Sequence, residues 1–387
     1  MQPELIADCV HCGFCLPTCP TYTLWHEEAD SPRGRIHLME ALVDGSLAMT
    51  DGVVEHFDRC LGCLACVTAC PSGVRYDRLI EQTRSEVERR HRRPPRERLL
   101  RATMFAVLPH RRRLRAALAL RHLPAPGPLA QLKRVAPPWA SPAWPPEHLP
   151  GDGPRVALLA GCVQSVVFGD VNAATARVLN AEGYDVHVPR LQGCCGALHA
   201  HAGRLEQGVA RASQLARELA GYDYIATNAA GCGSHLKEHG VANAVDVSEL
   251  LQTPRAERHP LPLRVALQDP CHLRHAQRLA EGPAAMLDGV PALKRLVPAE
   301  QDLCCGSAGI YNIVQPAAAR TLGDRKAHQV LAQAPQAFAS ANPGCRVQIS
   351  AALRRAGTPL PAFHPIELVD ASIRGIAVDR LLESARR

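Results

Sequence analysis

The chain has 387 residues, enough for two or three domains, and 47% of them are hydrophobic, an ordinary share for a globular protein. Its net charge of +7 is concentrated: 14 lysines and arginines stand against the single Glu97 between Arg89 and Arg134, so the remainder is acidic. No apolar run approaches ~18 residues, which excludes a membrane-spanning helix, and with aromatics at 4% nothing offers a stacking platform for nucleic acid.

The first pattern is Cys9-Val-His-Cys12-Gly-Phe-Cys15-Leu-Pro-Thr-Cys19-Pro20, and it returns as Cys60-Leu-Gly-Cys63-Leu-Ala-Cys66-Val-Thr-Ala-Cys70-Pro71. Both fit C-x2-C-x2-C-x3-C-P, the run that holds [4Fe–4S] clusters in two-cluster ferredoxins. Three thiolates two residues apart can reach three corners of one cube from a tight loop. The fourth, followed by proline, leaves that loop and serves the other cluster. The expected ligand sets are therefore Cys9, Cys12, Cys15 and Cys70 for one cluster, and Cys60, Cys63, Cys66 and Cys19 for the other. The eight residues before Cys9 include Glu4 and Asp8 and no apolar segment, so no secretory signal is expected. The cysteines then read as metal ligands in a cytoplasmic protein, not as a disulfide framework.

Between the two runs, Ser31-Pro32 predicts a helix start. Ile36, Leu38, Met39, Leu42 and Val43 recur at helical spacing, and Asp44-Gly45 predicts the end. A second short helix is expected from Asp51 to Asp58. Residues 1–90 thus read as a mostly helical ferredoxin domain. Arg33 and Arg35 could face a cluster, although a charge on a helix usually marks a solvated face. A charged helix follows from Tyr76 to about Arg92. Residues 91–154 read as a basic, proline-rich linker. Its stretch from Arg98 to Leu108 and the Arg111-Arg112-Arg113 cluster fit an anionic membrane surface, an acidic partner or plain solvent.

From Arg155 the sequence repeats itself. Strand Arg155–Ala160, Cys162, Cys194-Cys195-Gly196, strand Tyr224–Asn228 and Cys232 are matched by strand Arg264–Gln268, Cys271, Cys304-Cys305-Gly306, segment Ala337–Asn342 and Cys345. Strands alternating with helices predict two homologous α/β modules, 155–255 and 262–387, with mainly parallel sheets. Each cysteine falls where a strand ends or a loop enters a helix, the usual place for a site in such sheets. The four per module are candidate metal ligands or small buried residues. His199, His201, His272 and His275 lie beside them without a matched carboxylate and read as surface or supporting residues, not as bases. Neither a G-x-G-x-x-G nor a G-x-x-x-x-G-K-[ST] loop occurs.

Together with Ser31-Pro-Arg-Gly-Arg-Ile36, Cys70-Pro-Ser-Gly-Val-Arg-Tyr76, Asn172-Ala-Ala-Thr-Ala-Arg-Val-Leu179 and Leu303-Cys-Cys-Gly-Ser-Ala-Gly309, these runs resemble the iron–sulfur subunits of glycolate oxidase. The wider group includes cysteine-rich subunits of heterodisulfide reductase, anaerobic glycerol-3-phosphate dehydrogenase and lactate-utilisation complexes. The resemblance implies an electron relay without its own flavin. FAD-containing partner subunits would oxidise glycolate to glyoxylate, and a quinone acceptor would lie at the cytoplasmic face of the inner membrane. Lactate or 2-hydroxyglutarate are alternative substrates of such a complex, and thiol/disulfide redox chemistry is a further alternative. In the heterodisulfide reductase relatives each module ends in Cys-x-x-Cys and five cysteines hold a non-cubane cluster. Here the final position is His235 in the first module and Gln348 in the second. A third iron–sulfur cluster, a zinc ion assisted by His235, and an empty module all remain open at this point.

Overall fold

The computed structural model describes residues 2–120 and 143–386. The N-terminal part is helical, with helices Pro20–Trp25, Pro32–Asp44, Asp51–Arg59, Ala65–Ala69 and Tyr76–Arg90. The Ser31 hydroxyl accepts the Gly34 N–H at 3.0 Å, and Pro32 opens the helix where no N–H is needed. Gly45, at φ +81°, closes it in the left-handed region. The apolar stripe Ile36, Met39 and Leu42 packs with Val54, Phe57, Leu79 and Ile80 into a small core.

The C-terminal part holds two sheets. The first comprises β1 (His148–Leu149), β2 (Arg155–Leu159), β3 (Asp185–His187), β4 (Tyr224–Thr227) and β5 (Ala244–Asp246), in the order β1-β3-β2-β4-β5. Only β1 is antiparallel. The second comprises β6 (Arg264–Leu267), β7 (Lys294–Leu296), β8 (Ala337–Ala339) and β9 (Ala362–Phe363), all parallel in the order β7-β6-β8-β9. Leaving out β1, the two orders are the same, as expected of a duplication. The modules share one core, in which Val156, Leu158 and Leu179 of the first meet Leu267, Ile366 and Val369 of the second. Across this seam Arg177 grips Asp370 with two hydrogen bonds of 2.9 and 2.6 Å. Among the described residues no helix is long and apolar enough to cross a membrane.

The basic segment differs from the linker its composition predicts. Pro95–Val107 and Arg111–Ala119 are helices. Met104 and Phe105 are buried against Ala202, Ile310 and Ile313, while Leu114 and Leu118 join the core shared by the modules. Arg93 is nearly buried and reaches Asp58, Glu88 and Glu97 at 2.6–2.8 Å. An apolar stripe under a dense coat of arginine explains the difference, because composition counts the coat and packing uses the stripe. The proline-rich residues 121–142 lie outside the described residues, and β1 draws the end of the expected linker into the first sheet. Met104→Ala is therefore expected to cost about 2–5 kcal/mol, as a buried methionine does and a linker residue does not. A clear fall in thermal midpoint, with faster proteolysis between residues 95 and 119, would register it.

Candidate functional site

The two cysteine loops have the same backbone despite different residues. His11 and Gly62, each just before the second cysteine, have φ of +52° and +61°. Gly13 and Leu64, each just after it, have φ of +86° and +65°. Two left-handed turns around one cysteine fold the loop so that its neighbours point inward. Leu64 does this without glycine's freedom, at a cost of about 1–2 kcal/mol.

Cys9, Cys12, Cys15 and Cys70 line one small cavity, which Cys66 also touches. Cys19, Cys60, Cys63 and Cys66 line another. Each crossing cysteine, Cys19 and Cys70, thus stands with the three-cysteine loop of the opposite run. The first site lies near the surface: Cys12 is exposed, and Val10 and Phe14 beside it are 68% and 66% exposed. The second site is buried throughout.

The charges around the second site were hard to foresee. Arg35, which a solvated helix face would leave in water, is fully buried. Its Nε donates to the His56 carbonyl at 2.6 Å, and its Nη2 reaches Thr21 Oγ1 at 3.1 Å and Asp30 Oδ1 at 3.3 Å. Arg33 stays half-exposed, paired with Glu28 at 2.6 Å, and donates to the His11 carbonyl at 3.0 Å. Burial alone would push the Cys60 thiol up. The Arg35 and Arg84 guanidiniums, the Gly62 N–H at 3.3 Å and the Tyr76 hydroxyl at 3.7 Å instead bring it below the usual thiol range. Burial holds Cys63 and Cys66 well up, and drives Cys15 of the first site to about 11. Two pockets of convergent thiols, the inner one buried with a cation beside it, suit anionic thiolate-ligated iron–sulfur clusters.

The eight remaining cysteines come together in one place. Cys162, Cys194, Cys195 and Cys232 of the first module and Cys271, Cys304, Cys305 and Cys345 of the second line a single cavity of about 220 Å³. Sequence spacing placed four per module but not the two modules face to face. Sulfur–sulfur distances are 3.5 Å for Cys162–Cys194, 3.1 Å for Cys195–Cys232, 3.9 Å for Cys271–Cys304 and 3.3 Å for Cys305–Cys345. Sharing a proton within a pair pulls Cys194 and Cys271 well down and holds Cys162 and Cys304 up. The glycine of each Cys-Cys-Gly run is required twice over. Gly196 and Gly306 have φ of +96° and +86°, and a Cβ there would lie 2.2 Å from the Gly208 carbonyl and 2.8 Å from that of Ala319.

His201 and His272 line this cavity with rings 4.8 Å apart, and His199 and His275 are buried, so none of the four is a surface residue. His235 does not line it; its ring stands with Glu81 and His239. Gln348 is committed elsewhere, donating to the Ala319 carbonyl at 2.6 Å. The two residues in the place of a fifth cysteine thus add no ligand to the eight thiols of the cavity. The second ferredoxin site abuts it: Leu61 and Cys63 pack with Leu303, Cys304 and Tyr311, and Cys271 borders the same cluster. Thr68 Oγ1 and His275 Nδ1 meet at 2.8 Å, and Arg84 donates to the His201 carbonyl at 2.9 Å.

Comparison with known proteins agrees with this layout. The 4Fe-4S dicluster domain family matches residues 5–74, and the cysteine-rich domain family matches 156–237 and again 265–350. The chain therefore carries two [4Fe–4S] clusters, and the cysteine-rich pair leaves room for a further one. The glycolate oxidase iron–sulfur subunit of Escherichia coli (strain K12) is 36% identical, over 96% of this chain and 95% of its own. The "Probable glycolate oxidase iron-sulfur subunit" of Bacillus subtilis (strain 168) is 35% identical, over 92% and 91%. Lactate utilization protein A of Oceanobacillus iheyensis is 22% identical, over 57% of this chain and 98% of its own. With two such relatives matched nearly end to end and the cysteines placed as described, the chain belongs to the family of glycolate oxidase iron–sulfur subunits, electron-transfer components of an oxidoreductase complex.

Proposed function

We infer that this subunit carries electrons from an FAD-containing partner, which oxidises glycolate to glyoxylate, toward a quinone-type acceptor at the membrane. The observation that carries the reading is the succession of three thiol-lined sites, from the exposed Cys12 edge through the buried Cys60–Cys63–Cys66 site to the eight-cysteine cavity. Cys9, Cys12, Cys15 and Cys70 would hold one cluster, and Cys60, Cys63, Cys66 and Cys19 the other. When bound, such clusters take up and release single electrons, with potentials set by nearby charge, hydrogen bonds and burial. At the second site Arg35, Arg84, Tyr76 and the Gly62 N–H, which hold the Cys60 thiol down, would tune them. Val10 and Phe14, apolar and exposed beside Cys12, offer a face on which a redox partner can exclude water. Arg112, Arg113 and Arg115 are exposed and support peripheral attachment to an anionic surface. Arg111 is half-buried, its guanidinium lying 4.5 Å from the centre of the Trp144 ring.

The test uses the complex purified anaerobically with its native partners. Glycolate should reduce the clusters within the turnover time, read as the rise of their electron paramagnetic resonance signals, and at least about tenfold faster than lactate does, a difference of about 1.4 kcal/mol in the barrier. Reduction by lactate at an equal or higher rate would move the subunit to a lactate complex. Signals unmoved by either acid would sink the reading.

A further inference from the structure

Outside the three cysteine-lined cavities, where the N-terminal half meets the first α/β module, lies a set of side chains that could hold a metal ion. Glu81 projects from the Tyr76–Arg90 helix, and His235 and His239 stand one turn apart at the end of the Ala230–Glu238 helix. One ligand atom from each of the three lies within 4.8 Å of the other two. His239 Nε2 and Glu81 Oε2 are 3.8 Å apart, too far for a hydrogen bond, and the two imidazole rings are 4.4 Å apart, centre to centre.

The imidazoles are not otherwise explained. His235 is 2% exposed, and neither of its ring nitrogens makes a hydrogen bond of normal geometry. The Gly208 carbonyl is close enough only to favour the protonated ring slightly. His239 Nε2 is buried and unpartnered as well. A buried polar atom left without a partner costs about 1–3 kcal/mol, so several around one point call for something between them.

We propose that Glu81, His235 and His239 bind a single divalent transition-metal ion, zinc by ligand preference, that ties the ferredoxin half to the first α/β module. Two imidazoles four residues apart on a helix and one carboxylate form an N2O donor set suited to zinc. Contraction of the three ligand atoms by about an ångström brings them to the spacing of ligands at about 2.0–2.1 Å from a common centre. The helix end supplies a partial negative charge that favours a cation. Burial drives His235 down to about 4, so the ring is neutral and ready to coordinate near neutral pH. Burial, reinforced by Glu238, raises Glu81 to about 8, a carboxyl short of positive charge that a metal would supply. Glu238, within the same turn, lies 3.6 Å from Arg78.

The experiment is elemental analysis and zinc x-ray absorption on anaerobically purified, full-length protein with its clusters in place. The expected result is about one zinc per chain with a nearest shell of nitrogen and oxygen at about 2.0–2.1 Å. His239→Ala and the nearly isosteric Glu81→Gln should each lower zinc affinity at least about tenfold while iron content stays constant. Glu81→Gln keeps the side-chain volume and serves if the alanine variant does not fold. A protein that binds no zinc even when incubated with excess would overturn the proposal. So would a sulfur shell near about 2.3 Å, which would place the ion among the cysteines, or zinc retained in full by Glu81→Gln.

Discussion

Replacing Cys19 with serine is expected to remove one cluster and leave the other, taking the iron content from about eight to about four per chain. Cys19 belongs by sequence to the first run, yet its sulfur stands in the buried cavity with Cys60, Cys63 and Cys66. Thr21 Oγ1 lies 3.2 Å from that sulfur, and the Asp30 carbonyl 3.7 Å. Serine has the shape but not the soft thiolate that iron–sulfur chemistry needs. The signals of the surface site, lined by Cys9, Cys12, Cys15 and Cys70, should survive. Electron flow through the complex should nevertheless fall to background, because the lost site is the one that abuts the eight-cysteine cavity. Iron analysis and electron paramagnetic resonance of the reduced variant decide it. If the surface site is lost and the buried one kept, the crossover of ligands is wrong.

Arg35→Leu should be nearly as damaging through a different route. Its guanidinium is buried with the Asp30 carboxylate, which also holds Arg59 at 2.8 Å and His56 at 2.9 Å. Removing one partner of such a buried network costs about 3–5 kcal/mol, because the groups left behind cannot return to water. A fall in thermal midpoint on the order of 5–10 °C is expected. Loss of a positive charge beside Cys60 should also move the potential of the second site negative, since the reduced, more negative state loses more stabilisation. Arg35→Lys separates the two effects: it keeps the charge but cannot serve the His56 carbonyl, Thr21 and Asp30 together. It should retain most of the potential and little of the stability. A leucine variant with unchanged midpoint and potential would make Arg35 a bystander.

What could be read in the sequence was what repeats at short range. Ligand spacing, the Ser31-Pro32 start and the Gly45 stop are local, and the helices they predict are present. The α/β duplication was legible because strands β2, β4, β6 and β8 lead within six residues into Cys162, Cys232, Cys271 and Cys345. Strand β7 was not, since its lysine, arginine and leucine are exposed or half-buried at a sheet edge and carry no apolar signal. Arg35 was legible as a residue but not as a buried one, because Asp30, Thr21 and His56 come together around it only in three dimensions. The same holds for the shared cavity. Spacing within a module says nothing about which way its mouth faces, and that follows from the common core and the Arg177–Asp370 grip.

The burial of the second site also sets an order of biosynthesis. Leu61, Cys63 and Ala65 of its loop pack beneath Leu303, Cys304 and Tyr311, residues made more than two hundred positions later. Iron and sulfide reach the thiols of this site over a shorter path before the C-terminal half closes over them. Synthesis from the N-terminus at ~5–20 residues per second opens a window on the order of ten seconds to a minute in which the helical domain stands alone. Loading in that window would meet the thiols uncovered, and loading of the finished chain would need the cover to open.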